Sequence, residues 1–167
     1  MRGMKNDMRI MYPLWQMGAI VILMVLVLVI GFTSIFSPFE NGGFEFAVNL
    51  YEGLGVIAGG TLLLLFFYFL LFSWNVVKHN RLMPKHKIKV FSLKPQEYME
   101  DDELFEEITM RATKKVYSFF VTALPILAAI YILLPIGKTL MIVGILLIAV
   151  GQFLIYYLEI RKYVEEE

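Results

Sequence analysis

GLGVIAGGTLLLLFFYFLLFSWNVV, from Gly53 to Val77, runs for 25 residues without a formal charge. At about 1.5 Å of rise per residue, a helix of that length covers the roughly 30 Å hydrocarbon core of a bilayer with residues to spare. Hydrocarbon offers no water to bond backbone amides. Such a segment therefore satisfies them internally as an α-helix, whatever the strand propensity of its Val, Ile and Phe. Three more uncharged runs, Leu14–Phe36, Val116–Gly137 and Thr139–Leu158, are 23, 22 and 20 residues long. Buried helices of a soluble protein carry polar stripes, which these runs lack. The expectation is an all-α, polytopic membrane protein of a single domain, with spans at about 14–36, 53–77, 116–137 and 139–158.

Composition agrees, since 59% of the 167 residues are hydrophobic and 18% charged, well away from the soluble balance. There is no Cys, which excludes a disulfide framework, a thiolate zinc site and thiol catalysis. The formal net charge is zero, so nothing favours a nucleic-acid partner. Arg2, Lys5 and Arg9 precede the first run as they would a signal peptide. The run is too long for one, and Phe32 and Ile35 stand where cleavage after Ser34 or Ser37 needs a small residue, so it reads as a retained anchor.

Basic residues sort sharply between the segments that join the spans. Three precede the first span, nine lie between Lys78 and Lys115, and Arg161 and Lys162 follow the last, which leaves Lys138 alone on the other side. Lys and Arg accumulate in cytoplasmic segments, so both termini and the loop 78–115 are expected in the cytoplasm of a multi-pass cell-membrane protein. Tyr12, Trp15, Trp74, Tyr117, Tyr156 and Tyr157 then fall at the inner boundary, where amphipathic rings are favoured. Pro135 and Gly137 suit a tight outer turn between spans three and four. The outer loop 37–52 admits two readings. Phe39-Glu40-Asn41-Gly42-Gly43-Phe44-Glu45-Phe46 fits an aromatic hairpin around Asn-Gly, and Phe44 to Tyr51 fits a short amphipathic helix on the surface.

The loop 78–115 holds the strongest charge pattern, with seven acidic residues in the eleven positions from Glu97 to Glu107. Lys85, Lys87 and Lys89 alternate with apolar residues and read as an extended strip on the inner leaflet, where each cation contributes about 1 kcal/mol. Asp101 or Asp102 can cap the helix that follows. Its acids then sit at the positive end of the dipole, with Arg111, Lys114 and Lys115 toward later turns. Leu104, Phe105, Ile108, Ala112 and Val116 form an apolar stripe at helical spacing. The loop is too short to build a core of its own, so the stripe is expected to lie on the membrane surface, on the inner ends of the spans or on another protein.

Asp102-Glu103, Ile108, Arg111-Ala112 and Tyr117 resemble a juxtamembrane motif of small multispan bacterial and archaeal membrane proteins of unknown function. In that group an Arg usually follows the Asp-Glu pair, and here Leu104 takes its place. The resemblance covers about sixteen residues and implies membership of an uncharacterised group in which Asp102, Glu103, Arg111 and Ala112 matter. It implies no activity.

The spans contain no ionisable residue, the usual requirement for coupling to ions or protons in the bilayer. Gln152, Asn75, Thr61, Thr122, Ser34 and Ser73 are the polar candidates, and Gln152 is read first as an interhelical hydrogen-bonding group. Gly55 and Gly59 form a small-x-x-x-small step, and Gly144 and Gly151 lie seven apart. Both patterns suit close helix packing, within the monomer or in a homodimer. Pro125 interrupts the backbone bonding of span three. His79 and His86 are expected at surface loop positions, and neither a metal site, a cofactor nor a catalytic constellation follows from the residues.

The function expected from these features is an accessory, regulatory or immunity-type role in a prokaryotic membrane, exercised through Asp102, Glu103, Leu104, Phe105, Ile108 and Arg111 on a membrane-protein partner, with membrane lipids as further contacts. The alternative is a small, dimeric transporter or channel subunit that works without an intramembrane charge.

Overall fold

A computed structural model of the chain describes residues 8–38, 44–48, 52–83 and 103–166. Four helices dominate: α1 (Met8–Thr33), α2 (Glu52–Leu82), α3 (Glu103–Leu133) and α4 (Lys138–Glu166). Each is long and apolar enough to cross a membrane, and within each the most apolar stretch is only 6% to 11% buried by the rest of the chain. A soluble four-helix protein would hide those residues. Here they face outward, as hydrocarbon allows, and the chain is a multi-pass membrane protein.

Between α1 and α2 the chain forms an antiparallel hairpin, β1 (Ser34–Pro38) with β2 (Phe44–Val48), in the register Ser34↔Val48 to Pro38↔Phe44. Of the two readings of the outer loop, the hairpin is the one adopted. The first span is correspondingly shorter than 14–36, because Ser34, Ile35 and Phe36 leave the helix for β1. Once the chain reaches water and a second strand, ladder bonds satisfy those amides as well as helical ones do. Anchoring by helices at both ends gives a two-stranded sheet the support that an isolated one lacks.

At the other junction α3 stops at Leu133, and the Ile136 amide donates to the Leu134 carbonyl at 2.8 Å, a three-residue turn around Pro135. Gly137 then offers its carbonyl to the Met141 amide at 3.1 Å and starts α4. The expected link at Pro135 and Gly137 is therefore present.

The loop 78–115 is shorter than its sequence boundaries imply. Residues 78–82 extend α2, and residues 103–115 are the first turns of α3, continuous with the third span. Only the part between Met83 and Glu103, which contains Lys85, Lys87, Lys89 and His86, lies outside the described residues.

The principal helix contacts run α2 to α1, α1 to α4 and α4 to α3, so α1 and α4 are central and α2 and α3 flank them. Two buried clusters form at the end carrying both termini. Met8, Phe72 and Val76, with Tyr12 and Trp15, join α1 to α2. Ile10, Ala112 and Ile160, with Ile108, Tyr156 and Tyr157, join α1, α3 and α4.

Two tyrosines fix the flanking helices in the same way. The Tyr68 hydroxyl of α2 donates to the Trp15 carbonyl of α1 at 2.9 Å, and the Tyr131 hydroxyl of α3 donates to the Met141 carbonyl of α4. In each case a glycine, Gly18 or Gly144, stands three residues beyond the accepting carbonyl, with the tyrosine over it. A helix carbonyl keeps a second lone pair after bonding its own i+4 amide, and a missing Cβ one turn on leaves that lone pair accessible. In hydrocarbon the hydroxyl has no other partner, which gives the arrangement its direction.

Candidate functional site

The first turns of α3 are held down on one side and open on the other. Ala112 is fully buried between α1 and α4, with Ile108 packed beside it and Val116 buried one turn on. Of the three supports open to the apolar stripe, the terminus-bearing ends of α1 and α4 take Ile108 and Ala112. The Thr109 hydroxyl, also buried, donates to the Glu106 carbonyl at 2.9 Å, so no polar atom of that side chain is stranded against the cluster.

An ion pair fixes the same region. Lys115 of α3 donates from Nζ to Oε2 of Glu159 on α4 at 2.6 Å, and Lys162 approaches the same oxygen at 3.8 Å. The Glu159 side chain is 8% exposed and those of Lys115 and Lys162 are 54% and 65% exposed. The carboxylate is thus withdrawn from water while both cations keep much of their hydration, which moderates the desolvation cost of the pair.

The opposite face of α3 carries Glu106, Glu107, Met110, Arg111 and Lys114, all exposed. Arg111 donates to Glu107 at 2.6 Å across one turn, a surface pair contributing a few tenths of a kcal/mol. Met110 stands among these charges more than half exposed. It is a flexible apolar side chain with both signs of charge around it, on a turn of helix held in place by the contacts of Ile108 and Ala112.

The sequence-derived residues distribute as follows. Glu103, Leu104 and Phe105 open α3, their side chains outside the described residues, as is Asp102 altogether. Ile108 faces the interior cluster and Arg111 the exposed side, so the two do not share one surface. Asn75 donates from its amide to the Leu71 carbonyl at 2.9 Å, a bond within its own helix. Thr61 and Thr122 likewise bond back to Ile57 and Ser118. Gln152 is half-buried on α4. Gly144 lies under Tyr131 and Gly151 under Phe119, both at the α3–α4 contact. A Cβ added to Gly59 would meet nothing within 4 Å, so that glycine does not pack inside the monomer, and Gly55 is half-buried.

One expectation is corrected. His79 is not on a surface loop but in the last turns of α2, 7% exposed. Extending α2 past the apolar run carries it onto the face that also buries Phe72 and Val76. Three features escaped the sequence reading: the Lys115–Glu159 pair, the buried His79 and the Gly18–Tyr68 contact. Only the last had a local signal, a lone tyrosine among the Phe and Leu of the second span whose hydroxyl had to find an acceptor.

Among the described residues no three His, Asp or Glu side chains gather as metal ligands. Comparisons of the chain with protein-family models, curated proteins and solved structures find no match, so the functional reading rests on the geometry of this molecule.

Proposed function

We propose that this protein is a non-catalytic accessory or regulatory component of a prokaryotic cell membrane, acting on a membrane-protein partner through the exposed face of the first turns of α3. Protection against a membrane-active agent belongs to the same class. The carrying observation is the division of that helix: Ile108 and Ala112 are consumed by contacts within the chain, while Glu106, Glu107, Met110, Arg111 and Lys114 remain outward on a fixed support. The distribution of Lys and Arg supports a cytoplasmic position for this face and for both termini. A cysteine introduced at Lys114, in a chain that has none of its own, is then labelled only after the membrane is breached.

The decisive experiment replaces Met110 with a photoreactive amino acid in living cells. A discrete protein adduct is expected from position 110, lost on Arg111→Glu, and none from Leu124, which faces outward in the third span. Equal adducts from both positions would refute the proposal. Transport is the weaker reading, because Thr61, Asn75 and Thr122 are bonded to their own helices and lie on the two flanking helices rather than around one path. Liposome flux abolished by Gln152→Leu would reverse that ranking.

A further inference from the structure

The register of the hairpin sorts its residues onto two faces. In an antiparallel pair, opposed residues share a face and successive residues alternate between faces. Ser34, Phe36 and Pro38 of β1 and their partners Val48, Phe46 and Phe44 of β2 therefore fall on one face, and Ile35, Ser37, Glu45 and Ala47 on the other. The first face holds three phenylalanines and no charge. Glu45, the only charged residue in either strand, belongs to the second, paired with Ser37.

The principal contact of each strand is the other strand, so the helices leave both faces of the hairpin largely open. The bilayer is the surface within reach. The apolar spans of α1 and α2 are Ile10–Gly31 and Gly53–Leu82, so β1 begins three residues after one and β2 ends five residues before the other. The two ends of the hairpin are also level. Tyr68 meets α1 at Trp15 and Gly18. From Gly18 about 22 Å of helix leads to Thr33, and from Tyr68 about 24 Å leads back to Glu52. A hairpin about 17 Å long, held at this height by both ends, has the interface beneath it along its whole length once it tilts over.

A protein partner would have to diffuse to this face, whereas the lipid interface is tethered to it and costs no association entropy. An uncharged aromatic face also lacks the charges that fix register in a protein complex, and burial alone is what an interface asks of it. Depth follows from the backbone. Both outer edges of a two-stranded sheet carry unpaired amides and carbonyls, which excludes the hydrocarbon interior and allows the hydrated headgroup boundary.

We propose that the hairpin is an interfacial anchor: the face of Phe36, Phe44, Phe46 and Val48 rests at the boundary of headgroups and acyl chains in the leaflet opposite the termini, with Ser37 and Glu45 on the water side. The inference does not depend on the function of α3.

The chain has no cysteine, so a nitroxide can be attached at one introduced position at a time. Val48→Cys and Ala47→Cys are the primary pair, because they are adjacent, lie on opposite faces and leave all three phenylalanines in place. In the purified protein, reconstituted in phosphatidylcholine vesicles at high lipid excess, collisions with oxygen and with a water-soluble nickel chelate give the depth of each label. The label on Val48→Cys is expected about 5–10 Å deeper than that on Ala47→Cys. Phe36→Cys and Phe46→Cys should match the first, and Ile35→Cys and Glu45→Cys the second. Phe36→Asn with Phe46→Asn removes the contrast between positions 47 and 48, and leucine at the same two positions keeps it. A label on Leu124→Cys in the third span holds its oxygen exposure throughout, which shows that the helices remain inserted. Equal depths at positions 47 and 48 overturn the proposal. So does a contrast that grows with protein density alongside spin–spin broadening at Val48→Cys, which would assign the face to a second copy, or one present only in native membranes, which would assign it to another protein.

Discussion

Ala112 shows how much one small side chain can decide. It is fully buried where α3 meets α1 and α4, with Ile10 and Ile160 against it. Any larger residue separates three helices at once. Ala112→Leu is therefore expected to lower the unfolding free energy by about 1–3 kcal/mol, read as a lower midpoint in detergent. The glycines offer a controlled contrast. A Cβ on Gly18 would stand 2.8 Å from Cζ of Tyr68 and closer still to its hydroxyl, while one on Gly59 would touch nothing within 4 Å. Gly18→Ala should cost about 1–3 kcal/mol, whereas Gly59→Ala should be neutral or stabilise by up to about 1 kcal/mol through helix propensity. Similar losses at both positions would mean that the second helix is covered on its open side.

Among the elements, α3 carries two roles in one continuous helix: a membrane span, and a charged extension tied to α4 by Lys115 and Glu159. A double-mutant cycle with Lys115→Met and Glu159→Gln is expected to give a coupling of about 1 kcal/mol. Partial exposure of Lys115 and the second cation at Lys162 keep the value in that range. The spans were legible in the sequence because length and absence of charge are local properties, and the medium permits almost no other solution. The charged start of α3 was legible as well, from dipole-matched acids and a stripe at helical spacing. Which support the stripe would choose was not, because Ile108, Ile10 and Ile160 are brought together only by tertiary packing. The same holds for Glu159, which reads in sequence as a tail residue and finds its partner 44 positions away. His79 was misjudged where the apolar run ends before the helix does.

For the whole molecule, the order α2, α1, α4, α3 means that helices consecutive in sequence are neighbours in space within each pair, while the two pairs meet along α1 and α4. Gly31 of α1 lies under Thr139 of α4 at that seam. Each pair also contains its own tyrosine-to-carbonyl bond, Tyr68 to Trp15 in the first and Tyr131 to Met141 in the second. Nothing in either bond waits for the other pair. The amino-terminal pair is therefore expected to settle before the carboxy-terminal pair is synthesised, with the junction closing last. Co-expression of residues 1–90 and 91–167 as separate polypeptides should yield halves that insert independently and purify together, and Gly31→Leu should let each half insert but keep them apart. Halves that behave so would make the chain, in biogenetic terms, an assembly of two parts that share one message.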